Sequence, residues 1–131
     1  MTSEETVSSK IKALIVDDDA FLIALYQKVS EGSAIELRTA SSGDEALQAL
    51  VDFVPDVIAL DMSMAGLSGV DTLKAIRAKN LAPNAKIIIL SNTNEDGAVD
   101  EAKALGVEHF IVKASLLPSQ VIQELVKIAK G

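Results

Sequence analysis

In IKALIVDDDAF, residues 11–21, an apolar run ends in three consecutive aspartates. A short run of aliphatic and β-branched side chains is typical of a buried strand of a parallel sheet. Asp17, Asp18 and Asp19 repel one another, and no basic residue is adjacent to them in the sequence. A strand that delivers three carboxylates to one point raises the question of what balances their charge.

The same alternation of a short apolar run and a helical pattern repeats five times along the chain. Strand patterns occur at 12–16, 35–39, 56–60, 86–90 and 109–112. Helical patterns occur at 20–31, 43–53, 69–79, 95–105 and 118–130. Asp19 and Ser42 are expected N-caps, Pro118 a first-turn proline, and Gly32 and Gly106 helix ends. Strands that alternate with helices predict an α/β fold, a parallel sheet with helices on both faces.

Composition excludes several classes of protein. The chain has 131 residues, of which 49% are apolar, enough for one domain core. Without cysteine and with a single histidine, it has no disulfide and no zinc site of Cys and His ligands. A net charge of −7 without a basic cluster argues against nucleic acid as a partner, and no apolar run is long enough to span a membrane. We expect a soluble, cytoplasmic protein with a disordered tail at 1–9 and one domain at 10–131.

Ligands of such sheets bind beyond the carboxyl ends of the strands. The polar residues that follow these ends are Asp17, Asp18, Asp19, Asp61, Ser91, Asn92 and Lys113. Carboxylates in a partly buried pocket cannot all stay ionised unless a cation joins them, and Asp17, Asp18 and Asp61 offer the oxygen ligands that Mg²⁺ favours. Lys113 and Ser91 add an ammonium and a hydroxyl suited to phosphoryl oxygens, and an aspartate can itself accept a phosphoryl group.

Four motifs follow one another in the order LIVDDD, DVIALDMSMAGLSG, KIIILSN and HFIVKA over residues 11–130. Together they resemble the receiver domain of bacterial two-component response regulators, of the chemotaxis-regulator type. The resemblance implies a flavodoxin-like, doubly wound parallel sheet of five strands in the order 2-1-3-4-5, with five helices. It also implies a signalling domain rather than an enzyme with a separate substrate, limited to Mg²⁺-dependent self-phosphorylation and autodephosphorylation.

The resemblance assigns an expected role to each acidic motif residue. Asp61 is the expected phospho-acceptor, modified by a phosphohistidine on a sensor histidine kinase or a phosphotransfer protein. Mg²⁺ is expected on Asp17, Asp18, Asp61 and the backbone carbonyl of Ser63. Two of the three consecutive aspartates are therefore expected metal ligands, and the third, Asp19, begins a helix.

The resemblance also implies a switch. Lys113 is expected to pair with the phosphoryl group, and Ser91 to move towards it. Phe110 matches the aromatic position that turns inward with that movement, although a strand aromatic is as often a simple core residue. The movement is expected to change the surface formed by helix 4, strand 5 and helix 5, which then controls a downstream protein. His109 has no assigned role and is expected to be an exposed strand-end residue.

Three positions depart from the family pattern. Ala65 stands where proline is usual, Asn92 where a small residue is usual, and Ala114 where a cis proline is usual. Because a cis bond before a residue other than proline costs about 3 to 4 kcal/mol, we expect a trans Lys113–Ala114 bond. The loop at 113–117 should then adopt another course that keeps Lys113 directed at the site.

Two other functions remain to be weighed. A haloacid-dehalogenase-like phosphatase also uses a strand-end aspartate, a hydroxyl, a lysine and Mg²⁺, but it needs a second aspartate where this chain has Ser63. A pseudo-receiver, an interaction module that is not phosphorylated, would lack the acceptor, the acidic pair or the lysine. All of these are present, so only the three loop departures favour it.

Overall fold

The computed structural model describes residues 10–64, 66–92 and 97–131 of the chain. The predicted tail at 1–9, Ala65 and the predicted start of the fourth helix at 95–96 lie outside the described residues. The elements in chain order are β1 (Ile11–Val16), α1 (Ala20–Ser30), β2 (Ile35–Ala40), α2 (Gly43–Asp52), β3 (Val57–Asp61), α3 (Gly69–Ala78), β4 (Lys86–Ser91), α4 (Gly97–Ala104), β5 (His109–Val112), a 3-10 turn (Lys113–Ser115) and α5 (Pro118–Lys130).

The five strands form one parallel sheet in the order β2-β1-β3-β4-β5, which confirms the predicted fold class. The strand order reverses between β1 and β3, and both strands are fully buried over their last four residues. Burial on both faces explains why these strands are continuous apolar runs in the sequence. The carboxyl ends of β1, β3 and β4 therefore meet at one edge of the sheet.

The predicted helix signals are confirmed, and the helix ends differ from prediction by about one residue. The Asp19 carboxylate accepts hydrogen bonds from two amides of the first turn of α1, and the Ser42 hydroxyl accepts one from the first turn of α2. Pro118 lies in the first turn of α5. Gly32 and Gly106 follow α1 and α4 with φ of 78° and 93°, a conformation that glycine adopts without strain. The last residue of a helix depends on where the backbone hydrogen bonding stops, and the pattern of apolar residues does not show that position.

Two aliphatic clusters cover the two faces of the sheet. One joins the sheet to α2, α3 and α4, and the other joins it to α1 and α5. Helix α5 turns an apolar face to the sheet, since Val121, Ile122 and Leu125 are buried in the second cluster. His109, expected to be exposed, is half-buried because it begins β5 beside β4.

Two further features concern the backbone and the membrane. No peptide bond in the described residues is cis, so the expected trans bond between Lys113 and Ala114 is confirmed. The chain continues from Lys113 into the 3-10 turn instead. Within the described ranges, no helix combines the length and apolar content that a membrane span requires.

Candidate functional site

Two buried carboxylates lie at the carboxyl edge of the sheet, at the ends of its two central strands. Asp17 follows β1 and is 0% exposed, and Asp61 ends β3 and is 1% exposed. Each is fixed by a backbone amide two residues later: Asp19 donates to Asp17 Oδ1 at 3.0 Å, and Ser63 donates to Asp61 Oδ1 at 3.1 Å. These short turns leave the second oxygen of each carboxylate for other partners.

Lys113 supplies the positive charge that no residue next to the aspartates in the sequence provides. Its Nζ lies 3.1 Å from Asp17 Oδ2 and 3.4 Å from Asp61 Oδ2, and its side chain is only 12% exposed. The sheet register explains the position, because Lys113 directly follows β5 and Val112 is aligned with Ser91 at the end of β4. The ammonium therefore reaches across the end of β4 to the two central strands.

Asp18 completes an acidic cluster that could hold a metal ion. One carboxylate oxygen from each of Asp17, Asp18 and Asp61 lies within 4.8 Å of the others. Three carboxylates and one ammonium leave two negative charges in a largely buried pocket. A divalent ion with oxygen ligands would balance them, so the donor set fits a hard cation such as Mg²⁺. The backbone carbonyl of Ser63 is a further predicted ligand, and the Ser63 amide is already committed to Asp61.

The charges and the burial of the pocket shift the pKa values of Asp61 and Lys113. Burial, with a smaller contribution from Asp17, raises the pKa of Asp61 to about 6, although the Ser63 amide and Lys113 act in the opposite direction. Burial lowers the pKa of Lys113, but Asp61 and Asp17 outweigh it, so that this pKa lies above its ordinary value. Lys113 therefore stays positively charged, and its single charge does not balance the charges of the three carboxylates.

Ser91 ends β4 and Asn92 follows it, and the two residues differ in exposure. Ser91 is 2% exposed and Asn92 is exposed. Phe110, the predicted switch aromatic, is half-buried, packs against the cluster under α2, α3 and α4, and lies beneath Lys103, whose Nζ is 5.5 Å from the ring centroid. Its ring is thus at the border between the core and the surface.

Sequence reasoning missed two residues that support the site. Tyr26 of α1 is 1% exposed, and burial together with the charges of Asp17, Asp61 and Asp19 raises its pKa to about 12. A phenol with so high a pKa stays neutral, and it adds no charge to the acidic pocket. In the sequence, Tyr26 is only one apolar-face position of a helix, and nothing there marks its proximity to the aspartates.

Gly69 is the second missed residue. A Cβ at this position would overlap the carbonyl oxygen of Asp61 and lie 2.8 Å from Met62 Cα. The first turn of α3 therefore packs directly on the backbone that carries Asp61, and the Gly69 amide lies 3.4 Å from the Met62 carbonyl. The only signal in the sequence is a glycine after the Ser68 N-cap.

Comparisons with known proteins agree with this arrangement. The response regulator receiver domain model matches residues 13–126. The chemotaxis protein CheY of Thermotoga maritima is 34% identical over 120 residues, which cover 91% of this chain and 98% of that protein. The solved structure of the chemotaxis protein CheY4 of Vibrio cholerae has a TM-score of 0.80 and 26% identity, and the match covers 90% of this chain and 98% of that one.

A protein-glutamate methylesterase/protein-glutamine glutaminase of Halalkalibacterium halodurans is 37% identical over 113 residues, but the match covers only 32% of its length. The similarity to that enzyme is therefore confined to one part of it. The motif order, the fold and the matches over nearly the whole of this chain lead to one conclusion: it belongs to the response regulator receiver domains, a family of signalling domains.

Proposed function

We propose that Asp61 accepts a phosphoryl group, in an Mg²⁺-dependent reaction, from a phosphohistidine on a sensor histidine kinase or a phosphotransfer protein. The observation that carries the proposal is the pairing of buried Asp61 with Lys113 at 3.4 Å, inside a cluster that also holds Asp17 and Asp18. A carboxylate nucleophile, a fixed ammonium and oxygen ligands for a hard cation are the components that phosphoryl transfer to a carboxylate requires.

The proposed metal ligands are Asp17, Asp18, Asp61 and the carbonyl of Ser63. When bound, Mg²⁺ supplies positive charge that offsets the repulsion between these carboxylates and an incoming phosphoryl group. Asp17 and Asp61 are held in place by the backbone amides of Asp19 and Ser63, so little ordering is needed at the moment of binding. The Lys113 ammonium donates hydrogen bonds to the other oxygen of each carboxylate, Asp17 Oδ2 and Asp61 Oδ2.

In the transfer itself, an Asp61 carboxylate oxygen attacks the phosphorus atom of the donor. A P–O bond forms, the P–N bond of the phosphohistidine breaks, and its electron pair stays on the imidazole nitrogen, which then takes up a proton. Because the pKa of Asp61 is about 6, the carboxylate is largely ionised at neutral pH and can act as the nucleophile. In autodephosphorylation, water takes the phosphoryl group and the carboxylate is regenerated.

The acyl phosphate adds as much as about two negative charges and three acceptor oxygens to the pocket. We expect Lys113 to pair with one of these oxygens and the Ser91 hydroxyl to donate to another. Ser91, at the end of β4, would then move towards Asp61, and Phe110 would turn inward and leave its position beneath Lys103. This movement changes the surface of α4, β5 and α5, through which the domain controls a downstream protein.

These partners are proteins, and the proposed location is the cytoplasm, where kinase and target act. The chain's net charge of −7 opposes nucleic-acid binding by this domain.

The test is intact-mass spectrometry after incubation with Mg²⁺ and acetyl phosphate, a small phosphoryl donor. We expect a mass gain of one phosphoryl group that is lost in Asp61→Asn and in samples with a chelator. Asp71→Asn is the matched control, because Asp71 is an exposed aspartate in the first turn of α3, and it should be modified like the parent chain. No gain with either acetyl phosphate or a phosphohistidine donor would refute the proposal and favour a pseudo-receiver. A gain that persists in Asp61→Asn would assign the modification to another residue.

A further inference from the structure

The outer strand β2 offers an edge that is suited to a second copy of this chain. In the part of the chain that the structure describes, β2 pairs on one side only, with β1. It is six residues long, whereas β5 at the opposite edge has four. An open strand edge presents a row of backbone donors and acceptors that another strand can pair with.

The register shows which groups face outward. The carbonyls of Ala34 and Ala40 accept hydrogen bonds from the amides of Ile11 and Asp17, so the even-numbered groups of β2 face β1. Since successive groups of a strand alternate in direction, the amides and carbonyls of residues 35, 37 and 39 face the open edge. These three positions are centred on Leu37.

The side chains between these positions are self-complementary in charge. Glu36 and Arg38 flank Leu37, and both are exposed. In an antiparallel pair of two β2 strands centred on Leu37, Glu36 of each copy lies opposite Arg38 of the second copy, in the closely spaced, non-hydrogen-bonded position. A parallel pairing in register would instead place glutamate on glutamate and arginine on arginine. Edge charges often prevent strand addition, but this pattern disfavours only the parallel mode.

Arg38 is already held in a defined position. Its guanidinium lies 4.6 Å from the centroid of the Phe53 ring, and its Nη1 is 3.6 Å from Asp52 Oδ1. The contact with the ring limits the freedom of the side chain, and a guanidinium has enough donors to bind a second carboxylate. Less ordering is therefore needed when Glu36 of a second copy approaches.

We propose that two copies of this chain associate through antiparallel pairing of their β2 strands about a two-fold axis at Leu37. The pairing extends the parallel sheet into one of ten strands and closes on itself, since each copy uses its β2 edge. It does not depend on the proposed phosphorylation, because β1 separates β2 from the Asp61 strand and the carboxyl edge of the sheet stays accessible.

Charge exchange tests the proposal. Sedimentation equilibrium of the full chain from about 10 μM to about 1 mM, the range of weak interfaces, should show a monomer–dimer equilibrium. Glu36→Arg or Arg38→Glu alone places like charges opposite each other, and the dissociation constant should rise roughly tenfold or more. The double exchange Glu36→Arg with Arg38→Glu recreates opposite charges and should restore the dimer. Monomers throughout, or a dimer that is indifferent to the single exchanges, would overturn the proposal.

Cross-linking gives an independent measurement, because the chain contains no cysteine. Across the two-fold axis the Leu37 Cα atoms would be about 5.5 Å apart, within the range of a disulfide. Leu37→Cys should therefore form a covalent dimer under mild oxidation. The matched control is Glu36→Cys, since two copies of residue 36 would be two positions out of register and too far apart. Equal cross-linking of the two variants would contradict the antiparallel register.

Discussion

Replacement of Asp61 by asparagine should stabilise the magnesium-free protein at neutral pH, although it removes the proposed phospho-acceptor. The Asp61 side chain is 1% exposed and shares its pocket with Asp17. Burial, assisted by Asp17, raises the pKa of Asp61 from 3.8 to about 6, even though the Ser63 amide and Lys113 favour the charged form. The folded protein therefore holds an ionised carboxylate where it would hold a neutral group more easily.

The sign and the size of the effect follow from proton linkage. A carboxyl group with a raised pKa binds its proton more tightly in the folded chain than in the unfolded chain, so folding stability falls as the pH rises from 3.8 to about 6. At about 1.4 kcal/mol per pH unit, this interval corresponds to about 3 kcal/mol, which is lost in full above about pH 6. Asparagine avoids this loss and can still accept the Ser63 amide, but it cannot replace the ion pair with Lys113. We expect a net gain of about 1 to 3 kcal/mol at pH 7.5.

The measurement is urea denaturation with a chelator at several pH values between about 4 and 8. The difference in unfolding free energy between Asp61→Asn and the parent chain should be small or negative near pH 4 and should grow up to about pH 6. Mg²⁺ should reduce or reverse it, because the ion stabilises the parent chain preferentially. The control Asp44→Asn changes an exposed aspartate of α2 and should shift stability by less than about 1 kcal/mol at every pH. A variant that is no more stable than the parent chain at pH 7.5 would refute this account of the pocket.

Four other variants test three separate parts of the structure, one of them as a control. Lys113→Met leaves two buried carboxylates without their ammonium. The change should cost about 1 to 3 kcal/mol at pH 7 and less near pH 4, which lies below the Asp61 pKa of about 6, and denaturation at both pH values measures the difference. Gly69→Ala forces a methyl group onto the carbonyl of Asp61 and should cost about 2 to 4 kcal/mol. Gly32→Ala, with φ of 78° and nothing within 4 Å of a Cβ, should cost only about 1 kcal/mol, and equal losses in the two glycine variants would contradict the steric argument. Asp19→Ala removes the cap of α1 and should lower the melting temperature by an amount equivalent to about 1 kcal/mol, while Mg²⁺-dependent phosphorylation persists in the mass assay.

The fold could be predicted from the sequence because local and global signals coincide. The strands are apolar runs of the right length, each helix follows a strand, and residues such as Asp19 and Pro118 mark helix starts. The place of the site could be predicted for the same reason, since parallel strands bring Asp17 and Asp61 to a common edge.

What could not be predicted depends on packing between distant elements. The two distances from Lys113 to its carboxylates depend on the course of the chain after β5, where the family's usual proline is absent. The proximity of Tyr26 to the acidic pocket arises from the packing of α1 on the sheet. The contact of Gly69 with the Asp61 backbone requires the position of α3, and the sequence contains no pattern that defines it.

The three consecutive aspartates at 17–19 are identical in the sequence but not interchangeable in the structure. Asp17 is buried and anchored, Asp18 belongs to the acidic cluster from an exposed position, and Asp19 directs its carboxylate away, to the amides of Phe21 and Leu22. Selection on the first position concerns charge, shape and length together, whereas the third needs only a short acceptor. Serine, threonine or asparagine can satisfy that need. In a library that randomises this segment, survivors should therefore contain aspartate, asparagine, serine or threonine at position 19 and vary hardly at all at position 17.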